Sequence, residues 1–378
     1  MKICFLTHNI RPDNGGGVLS FKIIEGIRSF FGADAYVLTG LPSGQKYEKT
    51  MLSNSATILK NFFRIRKIFK ECDVIHAMDI YPYGIIAVLA SLGLGKKIII
   101  TAVGSGSIIP LYSKVFFWPS VFSCKRAGAI VAISGFTKRE ILKIIPNLNI
   151  QVINPGINFE KFAKASSLKL PDEFTGFKPY ILSVGALRWR KGYRLSIKAF
   201  AEVSKTFPEL NYVIVGKKYT DKYYDQLKKL INELGLNEKV IIVDSLDHEK
   251  YLGKNDPDML GRVYGGAELF FLMSQAGGHD IEGFGLVFLE AAASGLPTIG
   301  SKDCGAEDAI LDGKNGFLVD AKDIGGFSDA IKKILGDANL KKKMSEESRK
   351  FAGASGWDRR TEEYVQIYQT LLKPPKTK

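Results

Sequence analysis

The stretch Glu282-Gly283-Phe284-Gly285-Leu286-Val287-Phe288-Leu289-Glu290 sets two carboxylates eight residues apart across a glycine-flanked turn that runs into an apolar, alanine-rich segment. The glycines suit a tight turn with close backbone approach to a ligand, and the spacing predicts a short helix from Leu286 to Ser294, stopped by Gly295 and Pro297. Glu282 then belongs to a loop and Glu290 to a helix. Were all nine residues helical, the carboxylates would stand about 12 Å apart on different faces, poor geometry for a single site. A loop followed by a helix brings both toward a helix N-terminus, where free amides and the macrodipole attract a phosphate. The pattern points to a site for a nucleotide-linked sugar. It equally fits one glutamate as a dipole partner and the other as a solvated surface residue.

Outward from this stretch, the chain alternates strand-like apolar runs with amphipathic segments, which predicts βα units on parallel sheets. In the first half the runs are Lys2 to Thr7, Asp34 to Thr39, Val74 to Ala77, Ile98 to Val103, Ala129 to Ile133 and Gln151 to Ile153. In the second they are Tyr180 to Val184, Tyr212 to Val215, Val240 to Val243, Leu269 to Met273, Thr298 to Ile299 and Phe317 to Val319. The polar, proline-containing segment 158–178 between the two series reads as a linker. At 378 residues the chain exceeds one ordinary core, which gives domains at 1–165 and 172–356. The segment Trp357 to Leu372 carries Tyr364, Ile367, Tyr368 and Leu371 on one face, so it needs a surface to cover and is expected to pack back on the first domain.

Composition narrows the classes. No apolar run reaches the ~20 residues of a membrane span, and Met1 to Leu6 enters a strand directly without the pattern of a signal peptide. A cytoplasmic chain is expected. Cys4, Cys72, Cys124 and Cys304 are scattered singly, which predicts buried free thiols, not a disulfide framework or a thiolate metal site. A net charge of +14 favours anionic partners: nucleoside diphosphates, an anionic membrane or nucleic acid. Nucleic acid rests on charge alone and is not expected.

Several stretches together carry a family resemblance. In the second half they are Ser183-Val184-Gly185-Ala186-Leu187 with Lys191-Gly192, then Glu282 to Pro297, then Asp312 to Val319. In the first they are Gly15-Gly16-Gly17, Asp73-Val74-Ile75-His76, Ala132-Ile133-Ser134 and Asn154-Pro155-Gly156-Ile157-Asn158. In this order the chain resembles the retaining glycosyltransferases of family 4, the group 1 glycosyl transferases. The resemblance implies an α/β chain of the GT-B fold, with two Rossmann-like doubly wound domains facing a central cleft. The N-terminal domain would take the acceptor and the C-terminal domain the nucleotide sugar.

Carried over residue by residue, the resemblance places Glu282 near the donor sugar and the reacting centre, and Glu290 on the ribose hydroxyls. Phe284, Gly285, Leu286 and Val287 would turn backbone amides to the sugar and diphosphate, and Gly16 and Gly17 would close over the phosphates. A plain surface turn also fits the three glycines. Lys191 matches the lysine that neutralises the departing diphosphate. The family usually carries an arginine where this chain has Ala186, and of Arg188 and Arg190 the first is expected to replace it, aimed together with Lys191; a solvated basic turn is the other reading. A second departure is Val103, where relatives often have a histidine. Gly104 and Ser105, with Ser107, are then candidates to meet the sugar or acceptor, His279 is a further one, and His76 is expected in a cleft wall.

The reaction implied is transfer of a hexose from a nucleoside-diphosphate sugar, with UDP or GDP expected, to an acceptor hydroxyl with retention at the anomeric carbon. No metal and no separate cofactor are expected. The acceptor is the least legible part. Lys60, Arg64, Arg66, Lys67 and Lys70 interleave with Phe62, Phe63, Ile65, Ile68 and Phe69, and Lys114 to Arg126 holds Phe116, Phe117, Trp118 and Phe122. Such faces suit a lipid-linked or glycan acceptor at an anionic membrane, peripheral at the inner face of the cell membrane. They equally suit amphipathic helices packed on a sheet. The competing functions are a sugar-nucleotide epimerase of similar form, a phosphorylase of that architecture and a non-catalytic nucleotide-sugar-binding subunit.

Overall fold

Short β-branched runs without charges pair side by side because each can be buried on both faces only in a parallel sheet covered by helices. A computed structural model, which describes residues 1–12, 14–244, 258–275 and 280–373, shows two such sheets. The first has seven parallel strands: β1 (Lys2–Thr7), β2 (Asp34–Thr39), β3 (Glu48–Thr50), β4 (Val74–Met78), β5 (Lys97–Ala102), β6 (Ala129–Ala132) and β7 (Ile150–Val152). Their spatial order is β3-β2-β1-β4-β5-β6-β7. The second holds β8 (Tyr180–Val184), β9 (Asn211–Val215), β10 (Val240–Val243), β11 (Phe270–Leu272), β12 (Thr298–Ser301) and β13 (Gly316–Val319) in the order β10-β9-β8-β11-β12-β13. Both orders reverse direction once, between β1 and β4 and between β8 and β11. A doubly wound sheet opens its ligand crevice at that reversal, beyond the carboxyl ends of the strands.

The chain divides into two compact units, residues 1–156 with 357–378, and residues 157–356. In the first, the main helices are α1 (Gly15–Phe31), α2 (Ser55–Lys70), α3 (Ile85–Ser91), α4 (Phe117–Arg126) and α5 (Gly135–Ile144). In the second they are α6 (Phe159–Ser166), α7 (Tyr193–Ser204), α8 (Asp221–Glu233), α9 (Met259–Gly266), α10 (Leu286–Ala293), α11 (Ile324–Gly336) and α12 (Ala338–Gly353). The segment expected as a linker is therefore structured: it carries α6 and a single turn at Asp172–Thr175, and it belongs to the second unit. Asn158 caps α6 by accepting from the Lys161 amide, a signal present in the sequence.

The last helix, α13 (Trp357–Leu372), belongs to the first unit and packs on α1. Its Tyr364, Val365, Ile367 and Tyr368 are buried, and Gly26 of α1 makes the approach possible, since a Cβ there would lie 2.3 Å from Thr361 Oγ1. His76 is a correction. It does not line a cleft wall: it is fully buried in the core of the first unit, with Nδ1 2.8 Å from the Tyr368 hydroxyl and Nε2 2.8 Å from Thr101 Oγ1. Burial pushes its pKa down to about 3, so it stays neutral. All four cysteines are buried and unpaired. Among the described residues no helix is long and apolar enough to cross a membrane.

Candidate functional site

In the second unit, β8 ends at Val184 and the chain turns sharply through Gly185 (φ 147°) into a single helical turn, Trp189–Lys191. Gly192 (φ 70°) ends that turn pressed against the end of β11: a Cβ on it would sit 1.7 Å from the Met273 carbonyl oxygen. Only glycine fits, and the contact brings the turn beside the segment that follows β11. Lys191 and Glu282 meet there. The ammonium lies 2.6 Å from Glu282 Oε2, and each residue is only 7% exposed. Arg190 Nη1 donates to the Ile281 carbonyl at 3.1 Å and to Glu282 Oε2 at 3.3 Å, and its Nε lies 3.7 Å from Asp280. Burial alone would raise the Glu282 pKa, but the charges of Lys191 and Arg190 and the lysine hydrogen bond outweigh it and hold the carboxyl below its ordinary value. Two cations thus share one buried carboxylate at the strand-order reversal.

The turn after Glu282 is equally constrained. The Gly305 amide donates to the Glu282 carbonyl at 2.8 Å, and a Cβ on Gly305 would lie 2.2 Å from the carbonyl carbon of Gly283. Gly285 adopts φ 81° as the N-cap of α10, and a Cβ there would stand 2.8 Å from the Phe288 ring. Phe284 is buried, while Leu286 and Val287 keep partial exposure in the first turn of α10. One turn on, Glu290 is half-buried and accepts a hydrogen bond from the Tyr264 hydroxyl of α9 at 3.0 Å. Burial raises its pKa, against the Tyr264 bond and the charges of Lys161 and Lys191. The Lys191 charge therefore reaches both carboxylates, and the loop-then-helix geometry gathers Glu282, Lys191 and the α10 N-terminus.

Arg188 is a second correction. Its guanidinium does not join Lys191; it stacks on the Tyr219 ring, 3.7 Å from the centroid. Arg188 has extended backbone, and the helical turn that starts at Trp189 carries Arg190 round to the carboxylate. Alternation along a strand does not apply once the chain curls, so Arg190 holds the position expected for Arg188. Tyr219 and Tyr264 carried no motif signal. His279 lies outside the described residues.

In the first unit, Gly15–Gly17 form the first turn of α1, where Asn14 accepts from the Gly17 amide at 2.8 Å. Gly16 is exposed, whereas Gly17 is buried, and a Cβ on it would lie 2.2 Å from the Arg11 carbonyl oxygen. Gly104 (φ 144°) caps the single turn Ser105–Ile108. Beside that turn stands a residue the sequence did not mark as chemical, Asp79, at the carboxyl end of β4 with φ 94°. It accepts from the Val103 amide at 3.1 Å and from the Ser107 hydroxyl, and a Cβ on Gly106 would lie 2.4 Å from its Oδ2. Burial raises its pKa to about 6 against those bonds. The neighbouring Tyr83 hydroxyl lies 3.3 Å from His8 Nδ1 at the end of β1. Strained backbone on a non-glycine residue, a buried acid and a strand-order reversal coincide there.

The family model described as Glycosyl transferases group 1 matches residues 173–351, and that of Glycosyltransferase Family 4 matches residues 33–161. A GDP-mannose-dependent alpha-(1-6)-phosphatidylinositol monomannoside mannosyltransferase of Mycolicibacterium smegmatis is 26% identical over 62% of this chain and 60% of its own length. A D-inositol 3-phosphate glycosyltransferase of Corynebacterium urealyticum is 27% identical over 60% of the chain and 52% of its own length. The chain thus spans only between half and three-fifths of these two relatives. An N-acetyl-alpha-D-glucosaminyl L-malate synthase of Bacillus anthracis is 26% identical over 80% of the chain and 74% of its length. Among solved structures, Anabaena HepE in complex with UDP superposes with a TM-score of 0.80 at 18% identity, over 98% of this chain and 100% of that one. Sucrose-phosphate synthase of Thermosynechococcus elongatus gives 0.78 at 16% over 98% and 99%. With family models matching residues 33–161 and 173–351 and two parallel Rossmann-like units of the GT-B fold, the chain belongs to the group 1 glycosyltransferases of family 4.

Proposed function

We propose that this chain transfers a hexosyl group from a nucleoside-diphosphate sugar, UDP- or GDP-linked, to a hydroxyl of a lipid-linked or glycan acceptor, with retention and without a metal. The buried cluster of Lys191, Arg190 and Glu282 at the α10 N-terminus carries the reading. In it, Lys191 and Arg190 meet the diphosphate, joined by the free amides of the α10 N-terminus. Glu282 holds both cations in place and faces the sugar, and Glu290 accepts from the ribose hydroxyls. The bond between the anomeric carbon and the diphosphate oxygen breaks, the acceptor oxygen bonds to that carbon on the same face, and the acceptor proton leaves with the diphosphate. The protein's task is then positioning and charge stabilisation. The first unit takes the acceptor, with Gly104, Ser105 and Ser107 near its strand ends. The same reading makes the chain a cytoplasmic protein working at the inner face of the cell membrane. Relatives with a GDP-mannose-dependent activity and a neighbour solved with UDP support the donor class.

Calorimetric titration of the full chain with UDP, GDP and ADP in chelator-containing buffer tests the reading. Micromolar binding of one nucleotide, lost in Lys191→Ala, is the expected result. Silence from all three, or binding unchanged by that substitution, overturns it.

A further inference from the structure

Between Asp79 and Glu140 the chain has no acidic side chain at all: residues 80–139 include Lys96, Lys97, Lys114, Lys125 and Arg126 and no Asp or Glu. Helix α2 is likewise free of acids and carries Lys60, Arg64, Arg66, Lys67 and Lys70. These one-signed segments come together, because α2 and α4 both pack against α3.

The same elements hold the large apolar side chains most exposed on the first unit. Helix α2 buries Ile65 and Phe69, whereas Leu59 and Phe63, one turn apart on the opposite side, are 77% and 82% exposed. Helical spacing sets Lys60, Lys67 and Arg64 alongside them. At the start of α4, Trp118 is 72% exposed, and Val115 just before it 71%. Packing on the sheet, the other use open to these helices, is satisfied by their buried sides and leaves this second apolar set unused. Exposed aromatic and aliphatic groups among cations, with no acidic side chain within α2, α3 or α4 and Glu71 standing just past the end of α2, match the depth at which acyl chains meet acidic headgroups.

We infer that this α2–α3–α4 face docks the protein on an anionic lipid bilayer, with Leu59, Phe63 and Trp118 entering the interface and the flanking lysines and arginines meeting the headgroups. The inference deepens the reading of a membrane-linked acceptor. Its test uses no donor, so the two fail separately.

The full chain is sedimented with vesicles of phosphatidylcholine alone and of phosphatidylcholine with one-third phosphatidylglycerol, at low and high salt. Binding to the acidic vesicles only, weakened by salt, is expected, with a blue shift of tryptophan emission that disappears in Trp118→Phe. The triple variant Leu59→Ser, Phe63→Ser, Trp118→Ser should bind about tenfold or more weakly, and Lys60→Glu with Lys67→Glu should lose salt-sensitive binding. Because these side chains are exposed, melting temperature and nucleotide binding should hold in every variant. Absence of binding to acidic vesicles, equal binding to neutral ones, or full binding by the variants overturns the proposal. So does a dimer of the wild-type chain that the triple variant splits without vesicle binding by either, since the face would then be an interface between copies.

Discussion

Lys191 and Arg190 face one carboxylate, and the consequences of removing either differ. Lys191→Met takes away the shorter contact and leaves Glu282 buried beside Arg190 alone. The expected costs are about 1–3 kcal/mol of stability in the second unit and nucleotide affinity at least about tenfold lower. Arg190→Ala should depress turnover by about ten- to a hundredfold, whereas Arg188→Ala, which only unstacks from Tyr219, should leave kcat within about threefold. Steady-state kinetics on the pair decides it: the reverse ranking would return Arg188 to the site. Asp79 makes a pH prediction. With a folded pKa near 6 against the ordinary 3.8, the folded chain keeps a proton that the unfolded chain has already released between those values. This group's contribution to stability therefore falls as pH rises through that window, and its penalty is complete above it. Asp79→Asn keeps an oxygen to accept from Val103 and Ser107 and tolerates the positive φ. It should stabilise the first unit by about 1–2 kcal/mol near neutral pH and by nothing near pH 4. Melting curves at the two pH values check it, and a gain equal at both would refute a proton-linked origin.

The turn into α10 is where local sequence and site geometry are hardest to separate. Gly285→Ala would force a Cβ into a left-handed backbone and within 2.8 Å of the Phe288 ring. A destabilisation of about 1–3 kcal/mol and loss of nucleotide binding are expected together, because the first-turn amides move with the cap. Nucleotide binding that survives in a folded variant would show that α10 does not supply those amides. The glycines around Glu282 were legible in the sequence because a turn that tight admits few residues, and the strand runs were legible because a parallel sheet asks for unbroken apolar stretches. Other elements left no such trace. Helix α12 buries only Met344, Ser348 and Ala352, so its inward stripe is too small and polar to show a period among its lysines and glutamates. Helix α6 hid in a polar segment because Ala165 is its only fully buried residue. Arg190 is not distinguishable from Arg188 by strand alternation, which cannot foresee the single helical turn at Trp189–Lys191. The cleft wall expected for His76 could not be corrected from its neighbours, because Tyr368, the partner in the helix that buries it, lies 292 residues away in the chain.

The two units are threaded unequally, and this sets how the molecule comes apart. The second unit is one continuous segment, and its entry and exit lie side by side: the Ile157 amide donates to the Ser355 carbonyl at 2.9 Å, and Ile157 bridges to Gly356. A segment with adjacent ends, its own six-stranded sheet and its own ion cluster needs nothing from outside to close its core. The first unit is different, because α13 returns to it from the far end of the chain. Burying Tyr364, Val365, Ile367 and Tyr368 contributes about 6–12 kcal/mol, comparable with the whole stability of an ordinary domain. Removing α13 also strands His76, whose Nδ1 would lose the Tyr368 hydroxyl. Residues 157–356 expressed alone should therefore unfold cooperatively and bind the nucleoside diphosphate, while residues 1–156 alone should lack a cooperative transition. Joining Gly156 directly to Trp357 should restore it, since a Cβ on Gly156 would already touch the Trp357 backbone at 2.8 Å. Calorimetry on the three chains separates the cases: a cooperative melt from 1–156 without α13 would mean that the last helix only decorates a core that closes by itself.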